Sequence, residues 1–190
     1  MITVSVMPWP DHLLTLEEWD ELPEDEYGRS ELVDGVLVVT PSATPDHQTV
    51  AFELGVQLRS ALKPRGLGIV LDVDVVLAAG FPPLVRRPDL VVVSREMQRR
   101  ANRFTARDIL LAVEVVSPGS RHIDRMHKFA EYAEAGIPHY WIVDIEEPVT
   151  LEAFTLVDGS YEKIADVSAP QIVELAEPAP ITIDLAPLLP

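Results

Sequence analysis

The chain has 190 residues, 47% of them hydrophobic and 24% charged, with 31 acidic against 15 basic side chains and no cysteine. That length suits one domain with a sizeable core, and the apolar content excludes an intrinsically disordered chain. The lack of cysteine removes disulfides, thiolate zinc sites and a cysteine nucleophile, while the net charge of −16 argues at first sight against phosphate-bearing partners.

After an irregular start with Pro8 and Pro10, TLEEWDELPED predicts a short acidic helix ended by Pro23. SELV-DG-VLVV carries a strong hairpin signal, Asp34-Gly35 between apolar strands. Thr44 then offers a helix N-cap with Pro45 in the first turn, and Val50, Leu54, Leu58 and Leu62 recur every four residues as a buried stripe. GIVLDVDVVLAA alternates and is rich in β-branched residues, so it is expected as a strand. PDLVVVS and ILLAVEVVS are short, nearly continuous apolar runs, the pattern of strands covered on both faces. SRHIDRMHKFAEYAEAG predicts a helix closed by Gly136 and Pro138, HYWIVDI another buried strand, and LEAFTLVDGSYEKIADV a hairpin about Asp158-Gly159. The proline-rich tail is expected to be extended and to wrap the surface.

The fold class expected is therefore α/β, a central mixed sheet flanked by helices with extra hairpins, in a single domain over residues 1–190. Its core would span about residues 30–145, followed by a C-terminal hairpin and tail over 149–190. No stretch approaches the ~20 apolar residues of a membrane helix. MITVSVMPWP also lacks the basic region of a secretory signal, so a cytoplasmic protein is expected.

Two acids interrupt the most buried-looking strands: Asp89 opens DLVVVS after Pro88, and Glu114 breaks LLAVEVV. A buried carboxylate needs compensation, because desolvation costs several kcal/mol. A hard cation such as Mg²⁺, held by one or two carboxylates plus water and phosphate, would supply it. Pairing with the arginines of this region, or a solvated strand end, would do so equally well.

RRPDLVVVS, LLAVEVVSPGS and DRMHKFAEYAEAGIPHYWIVD, in this order, resemble the Uma-two family of putative restriction endonucleases, within the PD-(D/E)xK nuclease superfamily. SELVDGVLVV and ATPDHQTV are similar to its upstream blocks, so the likeness runs from about residue 30 to 145. The resemblance implies a restriction-endonuclease-like fold and a metal site with Asp89 and Glu114 as ligands, joined by the Val115 carbonyl. It implies Mg²⁺, with Mn²⁺ as a substitute, and DNA as the substrate. The strand lysine of the superfamily would share the face of Glu114, where this chain has Val116. Lys128, in the following block, is the matching candidate, its alternative being a surface pair with Asp124 one helical turn away. Glu31 matches the upstream glutamate, with an outward-facing hairpin residue as its other reading. His47, in the first turn of its helix, could accept a proton or touch phosphate, or could simply be a partly exposed surface residue.

Other chemistry finds little support. His122 and His127 stand five apart, about 140° around a helix, which is not one metal-binding face. Ser117 lacks the glycine-framed elbow of a hydrolase, and Ser117 and Ser120 fit better as helix caps. Tyr140-Trp141 reads as core. Between residues 86 and 128, ten basic side chains stand against five acidic ones, a local +5 that leaves −21 for the rest. This segment is where DNA would be gripped, unless its arginines neutralise acidic neighbours. The full expectation is a Mg²⁺-dependent endonuclease, as a homodimer, the commonest oligomer; the rival is a nuclease-fold binding module without turnover, for which Val116 speaks.

Overall fold

Asp34-Gly35 and Asp158-Gly159 turn their hairpins with all four residues at positive φ, between 48° and 82°, the conformation that Asp-Gly accepts most readily. The computed structural model describes residues 10–22, 29–39, 42–100, 103–116 and 123–188, without the side chains of Arg100, Ile123 and Asp124. The first hairpin joins β1 (Ser30–Val33) to β2 (Val36–Val39), and the second joins β10 (Thr150–Val157) to β11 (Ser160–Ser168). Helix α1 (Leu16–Asp20) starts at a Thr15–Glu18 capping box, and α2 (Pro45–Leu62) starts at Thr44, whose hydroxyl accepts from the His47 N–H.

The larger sheet has six strands in the order β11-β10-β9-β8-β6-β3, where β3 is Leu67–Leu71, β6 Leu90–Ser94, β8 Ile109–Val116 and β9 His139–Asp144. Only β8 and β9 run parallel. The second sheet, β2-β1-β5-β4-β7, adds β4 (Val75–Ala78), β5 (Leu84–Arg86) and β7 (Phe104–Thr105), and the short helix α3 (Arg95–Arg100) follows β6.

Alternation along β6 and β8 separates two cores. Leu90, Val92, Leu111, Val113 and Val115 face α2, where Val50, Leu54, Leu58 and Leu62 are all at most 1% exposed. Val91, Val93, Ala112 and Val116 face the other way, towards Tyr132, Ala133 and Ile137. Tyr140 and Trp141 are fully buried, as expected of core residues. A Leu-to-Ala change at such a site costs about 2–5 kcal/mol, so α2 is held by its stripe.

Three expectations need correction. GIVLDVDVVLAA is not one strand: Asp72, at φ 51°, breaks it into β3 and β4, which join different sheets. Aspartate tolerates the left-handed conformation; the Asp72 N–H still donates to the Asp89 carbonyl (3.1 Å), one step beyond the last β3–β6 pair, and the chain turns away there. The helix after β8 begins with a π-helical turn, Ile123–Lys128, and only then becomes α4 (Phe129–Glu134), ended by Gly136 at φ 80°. The tail does not merely wrap the surface: β12 (Ile172–Leu175) and β13 (Ile181–Asp184) pair and bury Val173, Leu175, Ile181 and Ile183 in the α2 core. Its apolar residues alternate, and burying each is favourable by about 2 kcal/mol. Ser117, Pro118, Ser120 and His122 lie outside the described residues, as does the side chain of Asp124; His127 is exposed.

Candidate active site

Strand register brings the two acids together. Leu90 pairs with Val113 in the antiparallel β6–β8 ladder, and one further step along that register sets Asp89 opposite Glu114. Both share the face of Val91, Ala112 and Val116, so their side chains enter the space between the six-stranded sheet, α4 and the second sheet. Asp89 is 7% exposed and Glu114 2%.

Asp89 is held by three donors. Oδ2 accepts from the Val115 N–H (2.9 Å) and faces His47 Nε2 (3.1 Å), whereas Oδ1 accepts from Arg29 Nη2 (2.8 Å). A carboxylate only accepts, so His47 carries its proton on Nε2 at this contact. Burial pushes the Asp89 carboxyl up, but His47, Arg29 and the Val115 N–H together outweigh it and hold it down at about 2. The Nδ1 atom of His47 is buried with no hydrogen-bond partner among the described residues.

Glu114 Oε1 accepts from the Tyr132 hydroxyl (2.7 Å) and lies 2.9 Å from Lys128 Nζ. Lys128 and Tyr132, four residues apart, reach the same carboxylate from one side of the helix. Complete burial and the negative charge of Glu114 both push the Tyr132 phenol well above its ordinary range, so this hydroxyl stays a donor. Lys128 is itself only 8% exposed, which excludes a purely surface role for it. Val116 is fully buried in apolar surroundings.

Glu31 is 4% exposed rather than outward-facing. Its Oε2 accepts from Arg86 Nη1 (2.8 Å), its Oε1 accepts from the Arg87 N–H (2.9 Å) and lies 3.6 Å from Lys128 Nζ. Burial raises the Glu31 carboxyl, but the Lys128 and Arg86 charges bring it below its usual range. Arg86 also holds both oxygens of Glu131, each at 2.6 Å, and so ties β1 to α4 across the site.

The five candidate side chains Glu31, His47, Asp89, Glu114 and Lys128 thus converge, and Val115 touches them through its backbone. His47 does so because Thr44 starts α2 where its first turn overhangs Asp89. Sequence reasoning missed Arg29, Arg86, Glu131 and Tyr132. Arg86 and Arg87 were visible as part of a basic run, but neither partner was. Among the described residues no set of three or more His, Cys, Asp or Glu side chains gathers in a form that could hold a metal ion; the acids opposed across the β6–β8 register are the pair Asp89 and Glu114.

Five of the ten cations of the basic segment are engaged by the protein's own acids. Arg86 pairs with Glu31 and Glu131, Arg87 with Asp74, Arg103 with Asp20, Arg125 with Glu152, and Lys128 with Glu114. Arg95, Arg99 and Arg107 make no ion pair with a described residue, and Arg121 and the Arg100 side chain lie outside the description. Among the described residues, the local +5 is therefore partly compensated from within the protein.

A mixed sheet flanked by helices, with two acids opposed across neighbouring strands and a lysine paired to one of these carboxylates, fits the restriction-endonuclease-like nucleases. Residues 16–187 match the Uma2 family, described as "Putative restriction endonuclease", and the chain belongs to that family. The match extends well beyond residues 30–145, into the tail that completes the core. The crystal structure of a "putative nuclease belonging to DUF820" from Anabaena variabilis is similar, with a TM-score of 0.67 and 21% identity over 85% of this chain and 89% of that one. At that identity the likeness carries the fold. No curated protein matches the chain. No helix among the described residues is long and apolar enough to cross a membrane.

Proposed function

We propose that this protein is a divalent-metal-dependent endonuclease that hydrolyses phosphodiester bonds of DNA. The observation that carries the reading is the opposition of Asp89 and Glu114 across the end of the β6–β8 ladder, with the Lys128 amine 2.9 Å from Glu114. The nuclease family and fold support it.

The donor set suits a hard cation. Asp89 is kept anionic at neutral pH, both donors are carboxylate oxygens, and Mg²⁺ needs no more than one or two of these besides water and phosphate. Asp89, Glu114 and the Val115 carbonyl would hold Mg²⁺, with Mn²⁺ as a substitute. When bound, such an ion lowers the pKa of a water and polarises the phosphodiester. The remaining work belongs to the chain. Tyr132 and Lys128 orient Glu114, while the Val115 N–H and His47 orient Asp89. Lys128, beside Glu114, would stabilise negative charge developing on the phosphoryl oxygens, as the absent strand lysine would have done. A valine at 116 therefore does not by itself remove the cation.

Incubation of supercoiled plasmid with Mg²⁺ or Mn²⁺ at low salt tests this reading. Nicking is expected from the wild type and not from Asp89→Ala or Glu114→Ala, each checked for folding by circular dichroism. Full activity in either folded variant overturns the mechanism, and wild-type binding without nicking would mark a non-catalytic nucleic-acid module.

A further inference from the structure

Arg29 occupies a position with no counterpart in the roles assigned above. It immediately precedes β1, its side chain is 24% exposed, and it spans two acids: Nη2 donates to Asp89 Oδ1 at 2.8 Å, and Nε lies 3.1 Å from Asp72 Oδ1. Burial disfavours its charge, but Asp89 first, then Asp72 and Glu114, raise its pKa above the ordinary value. The guanidinium thus stands in the combined field of both proposed metal ligands.

The two oxygens of Asp89 are unlike. Oδ2 takes two N–H donors from fixed positions, the Val115 backbone and the His47 ring, whereas among the described residues Oδ1 takes one, Arg29. The pair of donors on Oδ2 sets the plane of the carboxylate and leaves Oδ1 as the oxygen at which one cation can replace another. A divalent ion at Oδ1 would lie beside a guanidinium of like charge in a poorly solvated space, where repulsion is strong. Asp72 supplies the alternative partner. It is 53% exposed, is turned into place by its left-handed backbone, and is fastened to Asp89 by its own N–H. Arg29 can therefore release Asp89 without losing a carboxylate.

We infer that Arg29 is a built-in counter-cation of this site, exchanging with the divalent metal for Asp89 Oδ1 and retreating to Asp72 when metal binds. The inference rests on the metal-site reading above. It makes Arg29 a regulator of metal loading, which a purely structural tie between Asp72 and Asp89 would not be.

Isothermal titration of the full chain with Mn²⁺, paired with thermal unfolding with and without Mn²⁺, separates the possibilities. Arg29→Gln should bind Mn²⁺ at least tenfold more tightly than the wild type, and Asp89→Asn at least tenfold more weakly. Without metal, Arg29→Gln should unfold at a lower temperature, with the gap narrowing when Mn²⁺ is saturating. Arg29→Lys, which keeps the charge but loses the planar fork, should fall between wild type and Arg29→Gln in affinity. Equal or weaker Mn²⁺ binding by Arg29→Gln, with the wild type binding and Asp89→Asn not, overturns the exchange and leaves the metal site standing. Absence of Mn²⁺ binding from both wild type and Arg29→Gln overturns both.

Discussion

Lys128 Nζ and Glu114 Oε1 lie 2.9 Å apart, joining the first helical residues after β8 to the middle of the sheet. On β8 itself, the position two residues beyond Glu114 is the buried Val116. The cation that accompanies the second acid therefore comes from a different element, delivered by the π-helical turn that precedes α4. Wide turns of this kind recur at functional sites.

That pairing predicts two separable losses in Lys128→Gln. Cleavage of plasmid should fall at least ~100-fold, since a donor aimed at developing charge contributes on this scale. Stability should fall by about 3 kcal/mol, because Glu114 keeps its burial but loses its cation. Nicking rates and urea unfolding measure the two effects, and Lys128→Arg should recover more of the stability than of the rate.

Arg86 predicts a purely mechanical effect. It bridges Glu31 and Glu131 while 4% exposed, so Arg86→Met removes the cation these two carboxylates share. The cost is about 3–5 kcal/mol, or a fall in Tm of about 10 °C for a chain of this size. Differential scanning calorimetry reads it, and Arg86→Lys should not restore the wild-type value because the two-pronged contact with Glu131 is lost.

Acid should destabilise the protein in a defined window. The Asp89 carboxyl sits at about 2 in the folded protein against 3.8 for an unperturbed aspartate. Its folded-state value is depressed, so its contribution is fully present above pH 3.8 and disappears as pH falls through 2. The amount is about 2 kcal/mol. Glu31, also lowered, adds loss in the same direction. Urea midpoints measured from pH 6 to pH 2 should fall most steeply below pH 4; a flat profile there would contradict the buried, charge-paired Asp89.

DNA affinity should have a moderate salt dependence. Arg95, Arg99 and Arg107 are the described cations of the basic segment without an ion pair. Neutralising three phosphates gives a slope of log K against log salt of about −3, and adding Arg100 and Arg121 brings it to about −5. Fluorescence anisotropy with a labelled duplex at 50 to 200 mM salt gives the slope directly. A value near −9 would mean that the internal arginine pairs open to receive DNA.

The sequence by itself determined what depends on neighbours along the chain. The Asp-Gly turns, the Thr44 cap with Pro45 behind it, the stripe of α2 and the apolar strands bearing Asp89 and Glu114 are all local signals, set by backbone preference and residue period. So was the anomaly of two acids inside apolar strands, which singled out the site. Tertiary structure alone decided the rest. That Asp89 faces Glu114 follows from the β6–β8 register, a relation between segments more than twenty residues apart that no local preference encodes. That five of the ten cations of the basic segment are paired internally depends on acids such as Glu31, Asp20, Glu152 and Glu131, on β1, α1, β10 and α4, brought near only by folding. Asp72 divided an alternating run between two sheets because its left-handed backbone turns the chain out of the β3–β6 ladder, and the tail entered the core because α2 left a face to cover. Arg29 gave no sign of its place in the sequence, because what matters about it is only the distance to two carboxylates at the ends of other strands.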